Sequence, residues 1–193
     1  MDSDVTTRLL LRAREGSPEA LDALYGRCAP RLLALIRLKL GPTLRARLES
    51  RDILQSTLLR SFRAIPELEA GDRDSLMAWL ARIAENEIRD RADHHRRQRR
   101  DAGREVPLDA RVESLRAPVR SLSSRVALDE KALRLEAALE RLAEDHRRVI
   151  VLRKLEELSW REVARRMHRG EDACRMLLAR AMKALTLEME AAK

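Results

Sequence analysis

The sequence has few of the residues that break helices or favour strands. Six of its 193 residues are glycine and six are proline, and β-branched residues are scarce. Alanine, leucine, arginine and glutamate, which are strong helix formers, take their place. The composition therefore predicts an all-α protein, and the length suffices for one large domain or two small ones.

Long apolar segments are missing as well. No run approaches the roughly 18 apolar residues of a membrane span, and the opening MDSDVTTRLLLRAREG lacks the apolar core of a secretory signal. We therefore expect a cytoplasmic protein without a membrane contact. Cys28 and Cys174 lie far apart in the sequence, which fits buried thiols better than a disulfide.

Catalytic signatures are not found in the sequence. The histidines at positions 94, 95, 146 and 168 show no metal-ligand spacing with either cysteine. There is no glycine-rich phosphate loop of the Lys-Ser/Thr type, and no nucleophile has an identifiable base nearby. We expect no enzymatic activity, no metal site and no cofactor.

Lysine is also scarce, although the chain is strongly basic. Only five of the 40 basic residues are lysine, so 35 are arginine, and the formal net charge is +8. Arginine stays charged at any working pH and presents a planar donor fork that suits phosphate and guanine edges. The balance favours a polyanionic partner; enrichment of arginine by a GC-rich genome is the alternative.

Residues that begin or end helices recur in the first half of the sequence and predict a helix bundle over residues 1–100. Ser17-Pro18-Glu19 opens a helix, Pro30 predicts a kink or break in it, and Gly41-Pro42 ends it. Ser50 is a candidate cap for the next helix, which Pro66 stops. A third helix carries an apolar stripe: Leu76, Trp79, Leu80, Ile83, Ala84 and Ile88.

The third helix runs into one of the most basic segments of the chain. Arginine recurs at positions 89, 91, 96, 97, 99 and 100, so this end should present a cationic face to phosphates. A solvated helical end without a partner is the plainer interpretation. Residues 101–125 then lose the periodicity and collect Gly, Pro and Ser, which predicts a linker.

Residues 126–193 predict a second helical domain. Two helices with a break near Glu144-Asp145 precede Ser159-Trp160-Arg161-Glu162, a capping box that opens a short helix. A turn at His168-Arg169-Gly170 leads to a final helix that begins near Glu171. That helix is expected to bury Cys174, Leu178, Ala181 and Leu185. The layout is that of a helix-turn-helix, although an ordinary αα-hairpin has the same pattern.

Two separate motif sets resemble RNA polymerase sigma factors of the extracytoplasmic-function (ECF) type. SRDILQSTLLRSFRAIPELEAG and SLMAWLARIAENEIRDRADHHRR are similar to region two of that family. ALERLAEDHRRVIVLRKLEELSWREVARRM, followed by CRMLLARAMKAL, is similar to region four. The likeness covers nearly all of the chain outside the linker, in the order and spacing of the family.

The resemblance implies an alternative sigma factor that binds core bacterial RNA polymerase, recognises promoter DNA and directs transcription initiation. In region two it implies docking on the β′ coiled coil, and it places Asn86 by a pocket for an extruded base of the minus-ten element. A solvated helix residue is the plainer interpretation of Asn86. The docking residues implied are Asp52, Gln55, Leu59 and Arg60, and the minus-ten residues are Asn86, Arg89, Arg96, Arg97, Arg99 and Arg100.

For region four, the resemblance implies contact with the β flap and the minus-thirty-five element. Arg169, Arg175, Arg180 and Lys183 are the candidate DNA contacts. The chain departs from the common family pattern at Ser56, where an acid is usual, and at the turn, which has His168 and Gly170. Glu171 and Asp172 at the start of the recognition helix favour its N-terminus but repel phosphates, so they either cap the helix or accept from a cytosine amino group.

Two other functions fit the same pattern. An autonomous helix-turn-helix transcription regulator would use the N-terminal bundle for sensing or dimerisation, and it would bind promoter DNA without polymerase. An interaction protein of the anti-sigma kind, without direct DNA contact, is a third. An anti-sigma factor is also a further partner that the resemblance leaves open.

Overall fold

The structure is a computed structural model that describes residues 3–45, 48–65, 76–98 and 130–191. Within these ranges the chain is helical and contains no strand, so the predicted all-α class is confirmed. The helices are α1 (Ser3–Arg14), α2 (Pro18–Arg45), α3 (Ser50–Ala64), α4 (Leu76–Gln98), α5 (Glu130–Arg141), α6 (Glu144–Ile150), α7 (Trp160–Met167) and α8 (Glu171–Ala191). The predicted linker, Arg99 and Arg100 lie outside the described residues.

The described residues belong to two compact units. One contains α1, α2, α3 and α4 from Arg82 onwards, and the other contains Leu76–Ala81, the first turns of α4, together with α5 to α8. The sequence pattern assigned no element to the segment that forms α1. The predicted domain boundaries at residues 100 and 126 stay predictions.

Helix α2 begins where its cap predicts. The Ser17 hydroxyl accepts a hydrogen bond from the Ala20 amide at 3.3 Å and donates one to Glu19 at 2.9 Å. Serine thus satisfies a backbone amide of the first turn that has no partner within the helix.

The interruption of α2 lies at Gly41 rather than at Pro30. Gly41 (φ 61°, ψ 174°) leaves helical geometry, whereas the predicted break at Pro30 is wrong. The sequence predicts a helix end at Gly41-Pro42, and the first helical piece does end there, since the residues up to Arg45 form a second helical piece after this kink. A proline removes one hydrogen bond of the helix, and burial of the neighbouring Leu32, Leu33 and Ile36, each 0% exposed, outweighs that loss.

Helix α3 begins at the residue that was predicted to cap it. Ser50 is the first helical residue, and Glu49 is the N-cap, without a side-chain cap hydrogen bond, so the prediction that Ser50 caps the helix is wrong. The Glu49 carbonyl accepts from the amides of Asp52 and Ile53 at 3.1 and 3.2 Å, so the helix starts on backbone hydrogen bonds. It ends at Ala64, before Pro66 as predicted.

A buried phenol joins α2 to α3. The Tyr25 hydroxyl lies 2.7 Å from the Ser61 hydroxyl and donates to the Leu58 carbonyl at 3.3 Å. Desolvation by burial raises the pKa of Tyr25 above its ordinary value of 10, so the phenol stays protonated. This contact fixes the orientation of α3 within its unit.

The second unit is built around α8. Helix α5 ends at Arg141, and α6 starts at Glu144, which confirms the predicted break. Helix α6 continues into a π-helical turn over Val151–Leu155, closed by a hydrogen bond from the Glu156 amide to the Val151 carbonyl at 2.9 Å. Nothing in the sequence pattern indicates this turn.

Helix α8 buries almost the residues that its spacing predicts. Cys174 and Ala181 are fully buried and Leu185 nearly so, but Leu177 is buried where Leu178 was expected. Leu177 and Leu178 are adjacent, and Leu177 lies nearer the centre of the buried face of the helix. Leu178 is therefore only half-buried. Both cysteines of the protein are buried and unbridged, as predicted.

Candidate nucleic-acid interface

A buried carboxylate holds α3 against α4. Glu87 is 5% exposed, and its two oxygens lie 3.0 Å from Nε of Arg60 and 2.8 Å from Nε of Arg91. The contact with Arg91 is a hydrogen bond, whereas the contact with Arg60 is an ion pair without hydrogen-bond geometry. Arg60 comes from α3 and Arg91 from the next turn of α4, so one acid is paired with a cation on each helix. Pairing of this kind offsets part of the cost of removing a carboxylate from water.

Arg91 extends the same network to α3. Its guanidinium donates to the Ser56 hydroxyl at 2.6 Å and to the Asp52 carbonyl at 3.3 Å. Ser56, the departure from the usual family pattern, is therefore an acceptor for a cation of α4. Arg91 is engaged within the protein, and it contributes less to the predicted cationic face than its position in the sequence suggests.

The residues next to this network face solvent. Asn86 and Arg89 are exposed, and the Arg89 guanidinium lies 3.5 Å from the side-chain oxygen of Asn86. The Asn86 amide is therefore near a cation that would also attract a phosphate. Of the other predicted minus-ten residues, Arg96 and Arg97 belong to the last turn of α4, and Arg99 and Arg100 lie outside the described residues.

The four predicted docking residues share one region of α3. Asp52 and Arg60 are exposed, whereas Gln55 and Leu59 are half-buried. Arg60 also forms an ion pair with Asp90 at 3.2 Å, so it is held by two acids of α4. The face of α3 that carries the predicted docking residues and the face of α4 that carries Asn86 are thus joined through Arg60 and Glu87.

In the second unit, the capping residue predicted for α7 is confirmed. The Ser159 hydroxyl accepts from the Glu162 amide at 3.2 Å. The Glu162 carboxylate accepts hydrogen bonds from Arg165 at 2.7 and 2.9 Å and from Arg166 at 2.9 Å. The hydrogen bonds from Arg165, followed by that from Arg166, lower the pKa of Glu162 to about 2.

The turn between α7 and α8 does not depend on its glycine. His168 is the C-cap of α7 and adopts the left-handed conformation (φ 53°, ψ 43°). Gly170, which the sequence places in the turn, has no positive φ, and a Cβ there would meet nothing within 4 Å. The strained position is therefore occupied by a residue with a side chain.

The Trp160 ring contacts two arginines, one of them in the second turn of α8. The guanidinium of Arg153 lies 5.0 Å from the Trp160 ring centroid, and that of Arg175 lies 5.3 Å from it. Arg175 also pairs with Asp172 at 2.7 Å and Glu171 at 3.2 Å. The acids at the start of α8 thus orient Arg175 as well as favouring the helix N-terminus.

The remaining candidates of this unit differ in their surroundings. Arg169 pairs with Asp145 at 2.5 Å, so a phosphate would have to replace that carboxylate. Arg180 and Lys183 are exposed on α8. The structure thus places all four predicted minus-thirty-five residues on or beside one helix, with two of them already paired to acids of the protein.

Two functional features were not predicted from the sequence. Glu87 lies on the stripe of Leu80 and Ala84, and an acid at helical spacing from buried residues is a signal that it must be paired. The stack of Arg153 on Trp160 depends on the π-helical turn and could not be anticipated from the spacing. Of the predicted stripe of α4, the side chains at positions 79, 83 and 88 are only half-buried.

Several features of the described residues bear on the class of protein to which the chain belongs. None of the helices in them has an apolar stretch long enough to cross a membrane. Across the same residues, no group of three or more His, Cys, Asp or Glu side chains could hold a metal ion. One unit presents an exposed amide and arginines, and the other contains a helix-turn-helix. These features are typical of a helical DNA-binding protein of transcription.

Comparison with known proteins specifies the family. Residues 24–101 match the model of Sigma-70 region 2, and residues 132–185 match that of Sigma-70, region 4. The chain is 32% identical to RNA polymerase sigma factor CarQ of Myxococcus xanthus, over 94% of this chain and 99% of that protein. It is 31% identical to ECF RNA polymerase sigma factor BldN of Streptomyces coelicolor, over 95% of this chain and 66% of that protein.

A solved structure shares the fold. The structure of CnrH in complex with the cytosolic domain of CnrY matches 98% of this chain and 99% of that chain, with a TM-score of 0.50 and 22% identity. The chain belongs to the sigma-70 family, as an RNA polymerase sigma factor of the ECF type. It is an alternative sigma factor that binds core RNA polymerase and promoter DNA and directs transcription initiation.

Proposed function

We propose that α3 and α4 act as one rigid element that connects polymerase docking to promoter melting. The observation that carries this proposal is Glu87, whose buried carboxylate pairs with Arg60 of α3 and Arg91 of α4. Asp52, Gln55, Leu59 and Arg60 would contact the β′ coiled coil. Because Asn86 directly precedes Glu87, docking through α3 would also set the position of the amide.

On α4, Asn86 is the proposed reader of one extruded minus-ten base. An amide suits this role because it can donate to and accept from a base edge. Arg89, Arg96, Arg97, Arg99 and Arg100 would contact phosphates and position the strand. The proximity of Arg89 to Asn86 supports the assignment, since a phosphate held by Arg89 would bring a nucleotide close to the amide.

The helix-turn-helix is the proposed minus-thirty-five reader. Its recognition helix α8 would enter the major groove with Arg175, Arg180 and Lys183, while Arg169 would reach the backbone from the turn. The same domain, residues 126–193, would contact the β flap, and residues 101–125 would connect it to the domain of residues 1–100.

The setting of the protein follows from this role. It would act in the cytoplasm and without catalytic activity of its own. CnrH, which shares the fold, forms a complex with the cytosolic domain of CnrY. An antagonist protein of the anti-sigma kind is accordingly a further proposed partner of this chain.

Two kinds of substitution separate base reading from positioning. Asn86→Ala should relax preference at one minus-ten position, with a loss of about 1–3 kcal/mol on the preferred base and little change in salt dependence. Arg96→Ala combined with Arg97→Ala should weaken complexes on every template, and each lost phosphate contact should reduce the salt slope by roughly 0.7 to 0.9.

The measurement is transcription by the reconstituted holoenzyme from templates varied at each minus-ten position, with complex stability followed across a salt series. If Asn86→Ala lowers output equally on all templates, the amide does not read a base. If the double arginine variant leaves the salt slope unchanged, that end of α4 does not contact phosphates.

A further inference from the structure

We propose that Met176 determines promoter specificity by packing against the C5 methyl group of a thymine in the minus-thirty-five element. The inference rests on the proposed function of α8 as the recognition helix. Met176 is a large apolar residue in the second turn of that helix, yet its side chain is 58% exposed.

The position of Met176 follows from the packing of α8. Cys174, Leu177, Ala181 and Leu185 face the core of the unit. Residues one turn apart share a face of a helix. The face opposite these buried residues carries a line of exposed residues, here called the outward line: Asp172, Met176, Ala179 and Lys183. Met176 therefore lies near the middle of the outward surface rather than at its margin.

The charges around Met176 favour DNA as the occupant of this surface. Arg180 is exposed on one side of the outward line, and Lys183 lies two turns further along it. Arg175 is exposed on the other side, where it pairs with Glu171 and Asp172 and would have to exchange these acids for a phosphate. Cations at these positions suit the phosphates that border a major groove, and the apolar side chain between them would face base edges.

Thymine is the base that offers an apolar contact there. Its methyl group projects into the major groove, where apolar side chains distinguish it from the other bases. Methionine has three rotatable bonds and a polarizable thioether, so it can follow the methyl group without a fixed rotamer. Ala179, one turn away, is too short to reach as far.

The experiment removes the methyl group from the DNA and the apolar side chain from the protein, separately and together. Holoenzyme containing the full-length chain is bound to promoter duplexes in which each thymine of the minus-thirty-five element, on either strand, is replaced by deoxyuridine. For the wild-type chain, one replacement should weaken binding about fourfold, the size expected for one buried methyl group.

Met176→Ala and Met176→Gln should weaken binding to the thymine duplex and abolish the difference between thymine and deoxyuridine. Glutamine keeps the length of the side chain and removes its apolar end. Met182→Ala is the matched control, since Met182 is a methionine of the same helix that is 38% exposed and lies away from the outward line. It should retain the full effect of deoxyuridine.

The inference is overturned if no deoxyuridine replacement weakens the wild-type complex, or if the same loss persists in both Met176 variants. The variant Arg180→Ala shows whether only the role of Met176 is wrong or whether the proposed role of α8 is wrong as well. If Arg180→Ala weakens the complex while the methyl effect is absent, only the role of Met176 is wrong. If Arg180→Ala and the Met176 variants all bind as the wild type does, α8 is not the recognition helix.

Discussion

At the scale of single residues, the arginines differ in whether the protein already neutralises them. Arg91 is engaged by Glu87 and Ser56, and Arg175 by two acids and the Trp160 ring. A phosphate must compete with these groups for Arg175, whereas Arg180 is exposed. The number of arginines in the sequence therefore overstates the cationic surface that is available to DNA.

The pH dependence of folding stability tests the contribution of a single residue, Glu162. Its folded pKa of about 2 is below the ordinary 4.5, so its ion pairs contribute stability above about pH 4.5, and the contribution is lost as the pH falls toward 2. Glu162→Gln should lower the free energy of unfolding by about 1 kcal/mol at neutral pH, as for other partly exposed ion pairs.

Thermal unfolding from neutral pH down to the lowest pH at which the protein folds measures this effect. The difference in melting temperature between wild type and Glu162→Gln should shrink steadily as the pH falls below about 4.5. A difference that stays constant over this range would mean that the hydrogen bonds from Arg165 and Arg166 do not depend on the charge of Glu162.

At the scale of elements, one buried acid pairs with a cation on each of α3 and α4. Glu87→Gln removes the charge that pairs with Arg60 and Arg91 while nearly keeping the shape of the side chain. We expect a loss of about 1.5–3 kcal/mol in the free energy of unfolding, the range for hydrogen bonds to charged groups. Urea unfolding measures it.

The matched control is Glu85→Gln, on the same helix. Glu85 pairs with Lys39 at 2.5 Å, but its side chain is 36% exposed, so its loss should cost under about 1 kcal/mol. Equal effects of the two substitutions would show that burial of Glu87 adds nothing to its pairing.

The turn of the helix-turn-helix gives the second test at this scale. His168 holds a left-handed conformation that costs a residue with a side chain about 1–2 kcal/mol, and glycine avoids that cost but loses about 0.4–1 kcal/mol through the unfolded chain. His168→Gly should therefore stabilise the protein by up to about 1.5 kcal/mol. Thermal unfolding checks this expectation.

Gly170→Ala is the matched control for the turn. It should be neutral or slightly stabilising, because Gly170 has no positive φ and has open space for a Cβ. If Gly170→Ala destabilises the protein and His168→Gly does not stabilise it, Gly170 rather than His168 is the left-handed residue of the turn.

Sequence periodicity predicted the helices well because their buried faces repeat at helical spacing. It failed at the start of α3, where Glu49 rather than the adjacent Ser50 is the N-cap, and at Pro30, where a break was expected and the helix continues. Of the candidate sites, the exposed Asn86 and Arg180 could be selected from the sequence. The ion pairs of Arg60 and Arg175 depend on how helices and turns pack against each other. The spacing of residues in the sequence does not give that packing.

At the scale of the whole molecule, the chain joins two sigma-70 regions, matched over residues 24–101 and 132–185. Each region has its own proposed DNA element, so promoter recognition should need both. The arginines paired to acids of the protein would make the isolated chain a weak DNA binder. Core polymerase would supply the position at which both regions reach their elements.

The most direct test is run-off transcription with purified core polymerase, the full-length protein and a promoter whose minus-ten or minus-thirty-five element is scrambled in turn. We predict a defined start on the intact promoter only when core polymerase and the protein are both present, with loss of that start when either element is scrambled. Absence of any specific start, or binding of the intact promoter by the protein alone as tightly as by the holoenzyme, would contradict the account.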